Sequence, residues 1–244
     1  MTGDGMEFKS PQDAAKYASG RRAVEVYLRD GMKVGLGSGT TSHWFVRGLA
    51  ESVADGLDTV GVPTSRGTRD LALKLGLKLA DLNDLARLDI TIDGADEIDA
   101  AGAMIKGGGA CLLWEKIVAN ASRRMICVVD DTKPVDTLGA FPLPIEVVQF
   151  GWETTRHSLR ALFAAAGYGD LEIERRTIGA EPLVTDSGNY ILDAKLGRIT
   201  DKGLLVDRLN QIPGVVENGL FVDVAAETVV GHPDGSADII RYDR

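Results

Sequence analysis

The chain has 244 residues, of which 44% are apolar and 26% charged, and this composition is typical of a globular protein with one large domain or two unequal ones. A formal net charge of −9 disfavours a nucleic-acid partner, and no apolar run approaches the roughly 20 residues of a membrane span. The two cysteines, Cys111 and Cys127, match no zinc or disulfide spacing, and no signal peptide is visible. We therefore expect a cytoplasmic protein without a membrane anchor.

The first half of the chain alternates between helical and extended patterns. Turn residues and hydrophobic periodicity predict helices at 10–30, 43–49, 68–75 and 110–121, and strands at 32–36, 58–62, 77–80, 88–92 and 124–129. This order predicts an α/β fold with a Rossmann-like, mostly parallel sheet and helices on both of its faces.

The pattern changes after about residue 140. Strands predicted at 142–148, 171–175, 190–193 and 215–217, with helices at 154–166 and 202–210, give the β-α-β-β-α-β order of a small ferredoxin-like domain. Three further short strands at 220–222, 228–230 and 237–240 could return to the first sheet. We therefore predict a Rossmann-like domain at 1–139 and 217–244 and an inserted small α+β domain at 140–216.

Between the first strand and the second helix lies a loop of small residues, Gly37-Ser38-Gly39-Thr40-Thr41-Ser42. Such a loop presents backbone N–H groups to an anion, although the third glycine of the dinucleotide fingerprint and the lysine of the P-loop are missing. A plain strand-to-helix turn fits equally well. Ser38, Thr64, Asp93 and Lys133 all follow strand ends, however, and ligands gather at the carboxyl ends of parallel strands.

Four carboxylates, at Asp93, Asp96, Glu97 and Asp99, follow the strand at 88–92. They could form an Asx-turn, or an acid cluster that faces a substrate. Their spacing does not suit a divalent metal, and the scattered histidines do not complete a site, so we expect no bound metal.

Lys106 precedes three glycines, Gly107 to Gly109, and Glu115 lies on the helix that follows. The loop could be plain, or its cation and N–H groups could stabilise a developing oxyanion. Glu115 enters an apolar stretch, where it could pair with a basic residue or act as a general base.

Several of these blocks resemble the type A family of ribose-5-phosphate isomerases over nearly the whole chain. The blocks are Gly35-Leu-Gly-Ser-Gly-Thr-Thr41, Asp93-Gly-Ala-Asp-Glu97, Lys106-Gly-Gly-Gly-Ala110 with Glu115-Lys116, Phe141-Pro-Leu-Pro144 and Ile212-Pro-Gly-Val-Val216. The resemblance implies a Rossmann-like domain with a ferredoxin-like one. It also implies interconversion of ribose 5-phosphate and ribulose 5-phosphate, in the pentose phosphate pathway, through an enediol and without metal or cofactor.

The resemblance also implies roles for individual residues. Glu115 would be the base that moves a proton between C1 and C2, Asp93 the acid for ring opening and hydroxyl protons, and Lys106 the cation that steadies the enediolate. The implied substrate contacts are Ser38, Gly39, Thr40, Thr41, Asp93, Gly94, Ala95, Asp96, Lys106, Gly107, Gly108, Gly109 and Lys133. Among the four carboxylates, Asp93 and Asp96 would then face the substrate, with Glu97 and Asp99 in turn structure. A homodimer or homotetramer is expected.

One position departs from the family pattern: Trp114 stands where relatives often carry a basic residue, which leaves its contacts open. The residues before Ser10 match nothing in the family and are expected to be disordered.

Two other functions remain as alternatives. A sugar-phosphate sensor should carry a basic DNA-binding helix-turn-helix, for which the residues before the first strand are too few. A CoA-transferase relative would use Glu115 as a nucleophile.

Overall fold

The computed structural model describes residues 8–242. Its helices are α1 (Pro11–Tyr27), α2 (Thr40–Ala54), α3 (Arg66–Lys74), α4 (Leu112–Asn120), α5 (Trp152–Ala165) and α6 (Lys202–Leu209), with a short 3-10 helix at Leu82–Asp84. Its strands are β1 (Met32–Leu36), β2 (Thr59–Pro63), β3 (Ile90–Asp93), β4 (Glu97–Asp99), β5 (Met104–Ile105), β6 (Met125–Asp130), β7 (Pro134–Val135), β8 (Leu143–Val147), β9 (Ile173–Arg175), β10 (Thr177–Ile178), β11 (Glu181–Pro182), β12 (Tyr190–Ala194), β13 (Val215–Asn218), β14 (Leu220–Phe221), β15 (Ala225–Gly231) and β16 (Ala237–Arg241). Within residues 8–242, no helix is long and apolar enough to cross a membrane.

The chain divides into two units, which are described separately. The first contains the chain up to Gly94, Ala121–Lys133 and the chain from Ala226 onward, and the second contains Ala95–Asn120 and Pro134–Ala225. The second unit is larger than the small domain predicted at 140–216, because Ala95–Asn120 belongs to it. The division into one domain at 1–139 and 217–244 and a second at 140–216 remains a prediction.

The first unit is built on a six-stranded sheet in the order β16-β15-β6-β3-β1-β2. Strands β2, β1, β3 and β6 pair in parallel, and β15 and β16 form an antiparallel hairpin at the edge. Every residue of β3 and β6 is buried, as expected for the middle of a mostly parallel sheet. The predicted mostly parallel sheet is confirmed, and its four parallel strands end at the same edge.

The second unit contains the predicted ferredoxin-like arrangement. Its four-stranded sheet has the order β13-β8-β12-β9, with every neighbouring pair antiparallel. Apolar residues from β8, α5 and α6 share one core, among them Ile145, Phe163 and Leu205. A second four-stranded sheet, in the order β14-β5-β4-β7, carries the segment between Asp93 and Lys106.

Some predicted elements differ from the structure. The strand predicted at 77–80 is reduced to a single bridge between Gly61 and Leu79. Leu220–Phe221 pairs with β5 in the second unit, so the expectation that it returns to the first sheet is wrong. Cys127 is buried, whereas Cys111 is partly exposed.

The N-terminal extension is only partly described, because residues 1–7 lie outside the described residues. The expectation of disorder before Ser10 is wrong for Phe8, since its ring lies 5.5 Å from Tyr17 and 5.6 Å from Trp44, centroid to centroid. Ser10 accepts a hydrogen bond from the Asp13 N–H at 3.2 Å and so caps the N-terminus of α1.

Candidate functional site

In the first unit, the predicted anion loop follows β1 directly and leads into α2, which begins at Thr40. Gly39 is the N-cap residue and has a φ of 90°, in the left-handed region that favours glycine. Thr40 is exposed and Thr41 is buried. The loop thus places small side chains and the first N–H groups of a 15-residue helix at the carboxyl edge of the sheet.

Asp93, the last residue of β3, is held beside this loop. Its Oδ1 accepts hydrogen bonds from the Ser38 N–H at 3.0 Å, the Gly94 N–H at 2.7 Å and the Ser42 hydroxyl at 2.9 Å. A Cβ at Gly37 would lie 2.2 Å from the same oxygen, so only glycine permits this approach. The donors stabilise a carboxylate with no exposed surface and fix its orientation.

Ser38 is engaged through its side chain as well as its N–H. Its hydroxyl lies 2.7 Å from those of Thr64 and Ser65 and 3.0 Å from that of Thr68, all of them buried. This cluster connects the β1 loop to the end of β2 and the start of α3. The structure therefore places Ser38 and Thr64 together, as their shared position after strand ends predicts.

Lys133 lies in the turn after β6, partly exposed, at the same edge of the sheet. Asp130 shapes the turn, because its Oδ1 accepts from the Thr132 N–H at 3.0 Å and its carbonyl accepts from the Lys133 N–H at 3.2 Å. Ser42, which the sequence places in the loop of small residues, is absent from the implied substrate contacts, although its hydroxyl donates to Asp93 Oδ1 at 2.9 Å. It belongs to the same loop motif, four residues after Ser38, and this helical spacing is the signal that could have found it.

In the second unit, Lys106 and Glu115 form a buried ion pair. Lys106 Nζ lies 3.4 Å from Glu115 Oε1, and the side chains are 2% and 6% exposed. Lys106 Nζ also lies 5.5 Å from the centroid of the Phe221 ring, and the Lys106 N–H donates to the Gly219 carbonyl at 2.9 Å. The structure thus brings together the predicted base and the predicted cation, and it also shows the basic partner that the alternative interpretation of Glu115 required.

The glycine loop between these two residues is held by Asp96. Asp96 Oδ2 accepts from the Gly108 N–H at 2.7 Å, and a Cβ at Gly108 would lie 2.5 Å from Asp96 Oδ1. Gly107 has a φ of 107°, and Gly108 and Gly109 are exposed. Ala95, next to Asp96, is partly exposed.

The expectation that Glu97 and Asp99 lie in a turn is wrong, because both belong to strand β4. Glu97 accepts from the N–H groups of Gly139 at 2.7 Å and Phe141 at 2.5 Å. Asp99 accepts from the Ala103 N–H at 3.0 Å and pairs with Lys202. Buried carboxylates with these partners organise neighbouring loops.

The residues on either side of Glu115 in α4, Trp114 and Lys116, contact other elements of the second unit. Trp114 Nε1 donates to the Ser187 hydroxyl at 2.8 Å, so it connects α4 to the turn before β12. Lys116 Nζ donates to Glu217 Oε1 at 2.8 Å and to the carbonyls of Asn218 and Leu220. Burial lowers the pKa of Lys116, and the Glu217 carboxylate opposes that shift.

No metal centre is formed by the described residues: no group of three or more His, Cys, Asp or Glu side chains is placed to hold an ion within 8–242. The chemistry available is that of a buried carboxylate next to an ammonium in the second unit. The first unit offers a loop that is rich in hydroxyl and N–H groups and surrounds a fixed carboxylate.

Comparison with known proteins gives one consistent family. Residues 60–235 match the sequence model of ribose 5-phosphate isomerase A (phosphoriboisomerase A). The chain is 52% identical over 227 residues to ribose-5-phosphate isomerase A 2 of Yersinia pseudotuberculosis, which covers 93% of this chain and 96% of that protein.

Two solved structures of isomerases agree with this chain over most of its length. The ribose 5-phosphate isomerase of Plasmodium falciparum superposes with a TM-score of 0.90 at 32% identity, covering 95% of this chain and 100% of that one. A D-ribose-5-phosphate isomerase in complex with phospho-erythronic acid superposes with a TM-score of 0.84 at 35% identity, covering 93% of this chain and 97% of that one.

Proposed function

The chain belongs to the ribose 5-phosphate isomerase A family, and on that premise we propose that it interconverts D-ribose 5-phosphate and D-ribulose 5-phosphate through an enediolate. The observation that carries the proposal is the buried pair of Lys106 and Glu115, which lies in the block of sequence that resembles the family's catalytic segment. Removing a proton next to a carbonyl requires a base at the carbon and a positive charge near the oxygen.

Glu115 is the proposed base and Lys106 the proposed stabiliser of the enediolate. The Glu115 carboxylate takes the proton from C2 of the open-chain aldose, so that the C2–H electrons form a C1=C2 double bond and the C1 carbonyl electrons move onto O1. Once the hydroxyl proton has passed from O2 to O1, the O2 electrons form the C2 carbonyl and the C1=C2 electrons take the proton back from Glu115 at C1. Carbon and oxygen are adjacent in the substrate, so the base and the cation must lie within a few ångströms of each other. The distance of 3.4 Å between Lys106 Nζ and Glu115 Oε1 satisfies this requirement.

Asp93 is the proposed acid for ring opening and for transfer of the hydroxyl proton between O2 and O1. Its Oδ1 is fixed by three donors, so its carboxylate is held in one orientation. We assign the phosphate-side contacts to Ser38, Gly39, Thr40, Thr41 and Lys133, since N–H groups at a helix N-terminus and a lysine both attract phosphate. The remaining proposed substrate contacts are Gly94, Ala95, Asp96, Gly107, Gly108 and Gly109.

We further propose that the protein is a homodimer or homotetramer and works in the cytoplasm; family resemblance supports the first statement and composition the second. Size-exclusion chromatography with light scattering, at the concentration of the assay, measures the assembly. A mass of two or four chains is expected, and a single-chain mass would contradict the proposal.

The test of function is a coupled assay with D-ribose 5-phosphate, with and without a chelator, on the wild type and the Glu115→Gln variant. The wild type should be active in both conditions. Loss of a general base lowers the rate by about 10²- to 10⁴-fold. Glu172→Gln is the matched control, because Glu172 pairs with Lys195 at 2.7 Å on the surface, and it should leave the rate unchanged. Full activity in Glu115→Gln would exclude the assigned base, and an inactive wild type would exclude the function.

A further inference from the structure

Arg176, which follows β9, contacts the Lys106–Gly109 loop from the ferredoxin-like sheet. Its Nη1 donates to the Gly107 carbonyl at 2.7 Å and to the Gly108 carbonyl at 3.0 Å. The Gly107 carbonyl also accepts from the Ala110 N–H at 2.9 Å, so both of its lone pairs are used. Two consecutive peptide groups of the loop are therefore held by one guanidinium.

The guanidinium is itself fixed by Asp193 on β12. Arg176 Nε donates to Asp193 Oδ2 at 2.8 Å and Nη2 donates to Asp193 Oδ1 at 2.5 Å. The two side chains are 16% and 17% exposed. A bidentate pair of this kind fixes the plane of the guanidinium, so the third donor points at the loop with little freedom.

The loop needs such a restraint because it consists of glycines. Three consecutive glycines lose more backbone entropy on ordering than any other residues, and their peptide groups rotate easily. Each peptide is planar and trans, so fixing a carbonyl also fixes the N–H of the next residue in the opposite direction. Holding the Gly107 and Gly108 carbonyls therefore sets the direction of the Gly108 and Gly109 N–H groups, and the first of these donates to Asp96 Oδ2 at 2.7 Å.

We propose that Arg176, held by Asp193, is a positioning residue for the isomerase reaction: it holds the Lys106–Gly109 loop in the conformation that directs the Gly109 N–H toward the developing enediolate. The proposal rests on the proposed function, and it adds a residue that acts through the loop without touching the substrate. It differs from an ordinary stabilising ion pair because its loss should affect the transition state more than it affects folding or substrate binding.

The experiment compares Arg176→Lys with Arg175→Lys. Lysine keeps the charge but cannot hold Asp193 and two carbonyls at once. Arg175 is the matched control, since it is the neighbouring arginine and it stacks instead over Trp152 at 4.3 Å and Tyr190 at 5.0 Å. Loss of one oxyanion donor costs about 10²- to 10³-fold in kcat, so we expect a loss of at least about 10-fold from misorientation in Arg176→Lys. Its KM for ribose 5-phosphate should change less than its kcat, and Arg175→Lys should keep the wild-type kcat.

Two further readouts separate positioning from stability. Phospho-erythronic acid carries a planar carboxylate that resembles an enediolate in charge, so its inhibition constant should rise in Arg176→Lys by the factor by which kcat/KM falls. Guanidinium ion should restore part of the activity of Arg176→Ala. If Arg176→Lys does not fold, Asp193→Asn, which keeps the shape of the partner, replaces it in the same measurements.

Equal kcat values in Arg176→Lys and Arg175→Lys would overturn the inference, as would an unchanged inhibition constant together with a lower kcat. Absence of guanidinium rescue in a folded Arg176→Ala variant would also count against it. The wild-type assay separates this outcome from failure of the proposed function, because an active wild type with an unaffected Arg176→Lys variant rejects only the role of Arg176.

Discussion

Replacing Glu115 by glutamine should destabilise the protein as well as inactivate it. Lys106 is 2% exposed and lies 3.4 Å from the carboxylate, so the variant keeps a buried ammonium that has lost its carboxylate partner. Breaking a buried ion pair in this way costs about 3–5 kcal/mol. At about 2–4 °C per kcal/mol for a chain of this size, the melting temperature should fall by roughly 6–20 °C.

The double variant Lys106→Met/Glu115→Gln isolates the cause. Removing both charges of a buried pair is often neutral or stabilising, so the double variant should recover much of the loss in melting temperature. It should remain inactive, because it has neither the base nor the cation. Calorimetry gives the melting temperatures, and the coupled assay is run well below the lowest of them.

Either of two results would contradict a stabilising role of the buried pair. A Glu115→Gln variant that melts within about 2 °C of the wild type, less than about 1 kcal/mol, would show that the pair contributes little to stability. A double variant that is no more stable than the single one would show that the loss does not come from the buried charge of Lys106.

Two further substitutions test local packing and pH dependence. Gly37→Ala should lower the free energy of unfolding by at least about 3 kcal/mol or prevent folding, because the added Cβ would lie 2.2 Å from Asp93 Oδ1. The control is Gly203→Ala, whose added Cβ meets nothing within 4 Å, so denaturant titration should show a rise of up to about 1 kcal/mol in the same quantity. Equal effects of the two substitutions would contradict this explanation. Burial raises the pKa of Glu146, and the hydrogen bond from Asn189 opposes that shift. At pH values above the ordinary pKa of a glutamate, the folded state therefore binds more protons than the unfolded state, and the stability of the fold decreases as the pH rises through the raised pKa. Glu146→Gln should therefore melt above the wild type at pH 8 and approach it at pH 5, and a pH-independent difference between the two melting curves would refute this interpretation.

Local patterns account for much of the fold. Strand β1 has the predicted bounds of 32–36, and apart from the added hairpin of β10 and β11 the order of elements from β8 to β13 is the predicted one, because side-chain periodicity and turn residues act over a few neighbouring positions. The loop at Gly37–Thr41 was predictable for the same reason. So was the position of Asp93 at a strand end, and parallel pairing then brings it to the same edge of the sheet.

Other features depend on partners that are distant in the chain. The segment 95–120 belongs to the second unit because β4 and β5 pair with β7 and β14, and strands of two or three residues leave almost no periodic signal. Likewise, the pattern at Leu77–Ala80 suggests a strand, yet tertiary pairing leaves only a bridge at Leu79.

The sequence by itself determined the chemical groups of the candidate site: a carboxylate on a helix, a lysine before three glycines, and an aspartate after a buried strand. Only the tertiary structure decided how they are held. Arg176 is 69 residues from Gly107, and Lys116 is 101 residues from Glu217, so no local pattern could pair them. Buried charges need specific partners, and the chain supplies those partners from whichever elements the fold brings together.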